Sequence, residues 1–191
     1  MLEAQSICLD VNCLDKSDYL MWSKKYDKVY GWQAQREREL GAKFRKNKAL
    51  TLKDLQAVVE WKFKVDPEKL QRVQELISRN DDEKVQRITS QALNVPTADD
   101  TYRLNCLTTL EGVSPVMASV ILTFYDPHNY GIFEQSIWKG LLGNPPPGLF
   151  TPQNYLRLLQ TLRKTAAKYN VEVRVIDKAL FKKAVDETSK P

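Results

Sequence analysis

The 191-residue chain has a single histidine, His128, and three cysteines, Cys8, Cys13 and Cys106, with no Cys-x-x-Cys pair among them. That inventory is too small for a disulfide framework and offers no zinc-ligand set. The expectation is reduced, mostly packed cysteines, no metal and no cofactor. Long apolar runs are missing too: the longest, Val116 to Tyr125, falls well short of the roughly 20 residues that a bilayer span needs. The opening "MLEAQSICLD" lacks the basic flank and cleavable apolar stretch of a secretion signal. A soluble chain inside the cell is expected, with no membrane partner. Repeats and low-complexity segments are absent, and the one breaker-rich stretch is "GNPPPGLF", Gly143 to Phe150.

What is present suits a helical globular unit. Hydrophobic residues make up 42% of the chain, enough at this length for one substantial core. The net charge is +5 and the isoelectric point about 9.0, a basic excess that fits a polyanionic partner without requiring one. Much of it lies in "RERELGAKFRKNK", Arg36 to Lys48, and in "LFKKA" near the end. A basic helix face is often simply solvated, so the charge alone does not decide.

Helix-start chemistry recurs along the chain. Thr51 with Asp54 can begin a helix over "LKDLQAVVEWKF", where Leu52, Leu55, Val58 or Val59 and Phe63 fall at spacings of three and four. Asp66-Pro67 and Thr151-Pro152 each place a capping side chain before a proline at the first helical position. A further helix runs from Asn80–Asp82 to just before Pro96. The remaining helices are expected over 17–25, 32–47, 99–108, 115–124, 135–142 and 176–185. "VEVRV", Val171 to Val175, alternates like a strand but has no evident partner and reads as a loop. The fold class expected is all-α.

The most specific stretch is "LEGVSPVMAS" followed by "FEQSIWKGL". Gly112 permits a tight turn, and Ser114-Pro115 makes a cap and first-turn pair for an almost wholly apolar helix. Free backbone N–H groups at such a turn suit a phosphate oxygen. Here the sequence resembles the helix-hairpin-helix DNA glycosylases, the endonuclease III-like superfamily. Their motif runs Leu-Pro-Gly-Val-Gly-x-Lys-Thr-Ala, then an apolar helix, a short loop, and Val-Asp-x-x-apolar-aromatic-basic. This chain has Leu110-Glu111-Gly112-Val113-Ser114-Pro115-Val116-Met117-Ala118, then Phe133-Glu134-Gln135-Ser136-Ile137-Trp138-Lys139. The interval from the hairpin to the acid is similar to the family's.

The resemblance implies a two-lobed, glycosylase-like single unit over 1–191. The central lobe would span about 30–143, with the hairpin at 102–125, and 1–29 would pack with 144–191. It implies a DNA-binding, base-excision-type protein that flips a nucleotide from double-stranded DNA. Glu134 would be the catalytic carboxylate. Gly112, Val113, Ser114 and Lys139 would hold the phosphate, and Trp61, Tyr125 and Trp138 are candidates for a base pocket, with Trp22, Trp32 and Tyr130 also available for stacking. The protein would be a monomer in the cytoplasm, associated with the nucleoid, or in a nucleus.

Four departures qualify the match, the first being Ser114 in place of the motif's second hairpin glycine, which is tolerable if the backbone there stays in an ordinary region. Glutamate replaces the family's aspartate, displacing the carboxylate by about an ångström, which can cost about a hundredfold in rate. Val116 stands where bifunctional members carry a lysine, so Schiff-base chemistry through that position is excluded and a monofunctional enzyme is implied. No cysteine follows Cys106, so the iron-sulfur loop of many relatives is absent. A non-catalytic DNA-binding member remains an alternative, as does a helical protein whose hairpin binds another ligand. From the residues themselves, Glu60 is a second acid, Asp126 and His128 form either a loop acid-base pair or an ordinary turn, and Asp177 reads as a helix cap or first-turn acid.

Overall fold

A computed structural model describes residues 14–94 and 99–188. Cys8 and Cys13 lie outside them. Among the described residues the chain forms ten α-helices and no strand. They are α1 (Lys16–Val29), α2 (Gly31–Asn47), α3 (Leu52–Phe63), α4 (Pro67–Ile77), α5 (Asp82–Asn94), α6 (Asp100–Leu107), α7 (Pro115–Tyr125), α8 (Gln135–Leu142), α9 (Pro152–Tyr169) and α10 (Val173–Thr188). No helix is long and apolar enough to cross a membrane.

Local chemistry fixes most of the starts. The side chains of Asp15, Thr51, Asp66, Asp99, Ser114 and Thr151 each accept a hydrogen bond from the amide three residues on, satisfying one of the open donors of a first turn. Asp18 and Asp54 complete reciprocal capping boxes.

Helix α7 is the central element, buried continuously from Met117 to Phe124. Helix α2 crosses it closely because residue 41 is glycine: a Cβ there would stand 2.5 Å from the Phe124 carbonyl oxygen. One turn on, the Arg45 guanidinium donates to that same oxygen at 2.8 Å and closes the end of α7. Helix α1 packs along α10, which also meets α8 and α9, so the first and last described helices are neighbours.

The one departure from the expected elements is at 171–175. Residues 173–175 are helical, opening α10, rather than loop. The alternation of valines is overridden by burial of Val173, Arg174, Ile176 and Asp177, which share one helix face. The loop before α8 supplies the missing cap, since the Val173 and Arg174 amides donate to the carbonyls of His128 and Pro127 at 3.3 and 3.0 Å.

Candidate functional site

Residues 130–134 lie outside any helix, and 130–133 are buried in the helical framework, a place where unpaired backbone groups would be costly. Side chains from three helices satisfy them. The Tyr155 hydroxyl of α9 donates to the Gly131 carbonyl at 3.0 Å, the Ile132 amide donates to Asp177 Oδ2 of α10 at 2.9 Å, and the Phe133 amide donates to Ser119 Oγ of α7 at 2.9 Å. Gly131 lets the segment lie close to α9 and α10: a Cβ there would meet Leu162 Cδ1 at 2.9 Å and Asp177 Cβ and Val173 Cγ1 at 3.3 Å, so those side chains would have to shift. The segment therefore delivers Glu134 to the start of α8 in a fixed register.

Behind it lies a buried charge cluster. Arg174 pairs with Asp177 and donates to both carboxylate oxygens of Glu37 of α2, at 2.9 and 2.7 Å. Burial pushes the Asp177 carboxyl up, against the Arg174 charge and the Ile132 amide. For Glu37 burial is outweighed by the Arg174 charge and hydrogen bonds, with Lys178 adding to them, so its carboxyl is held low. Asp177 is thus neither a cap nor a first-turn acid: it sits in the second turn of α10 and holds the 130–134 segment.

Glu134 occupies the N-cap position of α8 but makes no capping hydrogen bond with its side chain. Its carboxylate instead pairs with the Lys62 ammonium of α3, and the two side chains are 26% and 12% exposed. Burial pulls the Lys62 ammonium down to about 8, with Asp177 opposing and Arg174 and Lys69 reinforcing that fall. Both residues line two cavities. The larger, about 830 Å³, is a cleft bounded by α4, the 108–114 turn, Val116, Met117, Phe133 and Phe150. The smaller, about 350 Å³, is walled by Tyr26, Tyr30, Trp61, Ile132, Arg174, Asp177 and Phe181.

The turn between α6 and α7 forms one wall of the cleft. Gly112 has φ +77°, in the left-handed region, whereas Ser114 has φ −75° and ψ 170°, which suits any residue and explains why glycine is not needed there. The Val113 amide is committed to the Leu110 carbonyl at 3.1 Å, and the Glu111 amide to Asn80 Oδ1 at 3.0 Å. The amides of Gly112 and Ser114 make no hydrogen bond within the described residues. Lys69 and Arg72 of α4 line the same cleft and add exposed cations.

Neither a family model, a curated protein nor a solved structure matches this chain. Its site must be read from its own residues.

Of the residues singled out from the sequence, the fold brings Glu134, Gly112, Val113 and Ser114 to one cleft and Trp61 to the adjoining cavity. Lys139 is exposed on α8 and lines neither space, and Glu60 is likewise exposed outside both. Tyr125 is half-buried away from both cavities, and Trp138 is a 2%-exposed core residue. Trp22 lines neither cavity, Trp32 lies under the Lys64 ammonium, and Tyr130 is engaged with Asp100. Asp126 accepts the His128 and Asn129 amides as ordinary turn chemistry, while the exposed His128 ring approaches Glu172.

Sequence reasoning missed Lys62, Lys69, Arg72, Tyr26, Tyr30 and Phe181. Lys62 had one visible signal: a charged residue between the apolar Trp61 and Phe63 in the last turn of α3. Part of the basic run 36–48 proves structural, since Glu37 pairs with Arg174, Lys43 with Asp54, and Arg45 closes α7.

Proposed function

We propose that the chain is a DNA-binding, base-excision-type enzyme, a monofunctional DNA glycosylase on a two-lobed helix-hairpin-helix framework, which hydrolyses the N-glycosidic bond of a flipped base. One observation carries this reading: Glu134 is released from capping its own helix and lies on a cleft wall beside the Gly112 turn. A carboxylate so placed stabilises the positive charge that develops on the sugar as the base leaves, and it orients the attacking water.

The surroundings fit the parts of that reaction. The Gly112 and Ser114 amides, at the head of α7, suit a phosphate oxygen, with the Lys69 and Arg72 cations lining the same cleft. The smaller cavity is of a size and aromatic character that receives a planar base, with Tyr26, Tyr30, Trp61 and Phe181 as walls. Burial pushes the Tyr26 phenol up to about 12, so it remains a neutral hydroxyl. Glu134 and Lys62 stand at the junction of the two spaces, where the bond to be broken would lie.

The test has two stages. Duplex binding is expected to weaken steeply with salt as phosphate contacts release counterions. A panel of damaged and mismatched duplexes, treated with alkali after incubation, is then expected to show abasic sites at one or more lesions. Glu134→Gln should lower that rate by about a hundredfold or more. Salt-dependent binding with no lesion processed would favour a non-catalytic DNA-binding protein, in which the Lys62 pair merely neutralises a relict acid. No duplex binding at low salt would sink both.

A further inference from the structure

Among the described residues, three buried polar side-chain atoms have no hydrogen-bond partner: Asn94 Oδ1, Trp138 Nε1 and Asp177 Oδ1. Of these residues only Asp177 lines either of the two cavities at Glu134, forming part of the wall of the smaller one. Its two oxygens are not equivalent. Oδ2 accepts the Ile132 amide at 2.9 Å and pairs with the Arg174 guanidinium, whereas Oδ1 accepts nothing. An open acceptor on a side chain only 1% exposed is costly until a donor arrives.

The rest of the wall narrows what that donor can belong to. Lys62 is paired with Glu134, and the three guanidinium nitrogens of Arg174 donate to Glu37 or Asp177. The remainder is mainly aromatic. Trp61 is fixed by a hydrogen bond from its Nε1 to the Gln33 carbonyl at 2.8 Å, and Tyr26 packs on Tyr30 and Phe181 with ring centroids 4.9 and 5.9 Å apart. A flat heterocycle stacked on such faces turns its edge, which carries its polar substituents, toward the remaining wall.

We propose that Asp177 Oδ1 selects the base: the smaller cavity takes heterocycles with an exocyclic amino group, derivatives of adenine, cytosine or guanine, and rejects their oxo counterparts uracil, thymine and hypoxanthine. The proposal rests on the base cavity of the glycosylase reading and names its substrate class. Paired with the Arg174 cation, Asp177 stands as a carboxylate, and a carboxylate oxygen only accepts. An amino N–H donates to it. A carbonyl in the same place sets two acceptors against each other with no water between them. The ring N–H of an oxo base does not escape this, because a carbonyl oxygen stands beside it and no amino group balances the edge.

The experiment uses the full chain and bases matched in pairs, adenine with hypoxanthine and cytosine with uracil, titrated as free bases to millimolar concentration by calorimetry. The amino member of each pair is expected to bind about tenfold more tightly or better, the scale of one hydrogen bond to a charged group. Equal affinities, tighter oxo binding, or no binding of either member overturns the proposal. Asp177→Asn supplies the second arm. The Ile132 amide and Arg174 keep the asparagine oxygen in the Oδ2 place, so its NH2 group takes the Oδ1 place and a donor replaces the acceptor. The preference is expected to reverse toward the oxo bases. A folded variant that weakens both members of a pair equally shows a merely structural residue and overturns the selection. If the variant does not fold, the wild-type titration decides alone. Base release is scored separately on duplexes carrying 5-hydroxycytosine or 5-hydroxyuracil. Amino-selective binding of free bases without release from any duplex overturns the glycosylase reading alone, and release without amino preference overturns this inference alone.

Discussion

Asn80 holds Glu111 by both ends of its backbone: the Asn80 Nδ2 donates to the Glu111 carbonyl at 3.0 Å, and Asn80 Oδ1 accepts the Glu111 amide at 3.0 Å. The same Nδ2 donates to the Ile77 carbonyl at the end of α4 at 2.9 Å. A single side chain, 3% exposed, thus fastens the α6–α7 turn to the α4–α5 junction. The turn is held from behind by its Glu111 peptide, and its Gly112 and Ser114 amides remain for a ligand.

Replacing Asn80 by alanine is expected to cost about 1–3 kcal/mol, because the Glu111 backbone groups lose their buried partner. Urea denaturation reads that cost. Duplex affinity, measured where the variant is folded, should fall as well. If stability drops and affinity does not, the turn is not a phosphate grip.

Gly112 and Ser114 should respond to substitution to very different degrees. Gly112→Ala forces a side chain into φ +77° and sets its Cβ 3.0 Å from Leu76, so a loss of about 1–3 kcal/mol is expected. Ser114→Gly keeps an accessible backbone and gives up only a cap to Met117, so its cost should be a few tenths of a kcal/mol, on the order of measured cap losses to glycine. Equal thermal shifts for the two would contradict the backbone argument.

The parts of this structure that the sequence reveals are those set by neighbours along the chain. The caps at Thr51, Asp66, Ser114 and Thr151 and the glycine turn at 112 are local chemistry, and they lie where their residue types place them. The beginning of α10 is not local: its first amides are satisfied by Pro127 and His128, and its face is chosen by Glu37, far away in the chain. Ser119 reads as a small spacer in an apolar helix, yet its hydroxyl accepts the Phe133 amide and helps to aim Glu134. The Lys62–Glu134 pair joins residues 72 apart in the chain, and no spacing rule relates them. A charged residue flanking a tryptophan looks like surface until its partner is known.

Asp100 gives a pH prediction with a definite sign. Burial would raise its carboxyl, but hydrogen bonds from Arg163 and Tyr130 outweigh that and hold it below the ordinary aspartate range. A carboxyl lowered in the folded state contributes stability above its unfolded value and loses that contribution as pH falls through the folded one. Asp100→Asn is therefore expected to be destabilising at neutral pH and close to neutral in strong acid. Urea midpoints at the two conditions provide the check, and a cost that is the same at both would show that the ion pair with Arg163 is not its source.

The buried and exposed ion pairs of α10 should differ sharply in what their loss costs. Arg174 is 4% exposed and serves Glu37 and Asp177 together, so Arg174→Met strips Asp177 of its paired cation and leaves Glu37 with only the Lys178 ammonium, at 3.5 Å. The expected loss is about 3–5 kcal/mol, the scale for breaking a buried pair from one side. Lys25, by contrast, reaches Asp186 from a side chain that is 47% exposed, and Lys25→Ala should cost less than about 1 kcal/mol. Arg174→Met has a second consequence through Asp177, whose Oδ2 accepts the Ile132 amide two residues before Glu134. With that carboxylate loosened, the 130–134 segment loses one of its three side-chain supports. The variant is therefore expected to lose base-release rate even at temperatures where it is folded, while Lys25→Ala keeps it. Equal costs for the two substitutions in urea, or an Arg174→Met protein with undiminished base release, would show that the cluster neither stabilises the fold nor positions the acid.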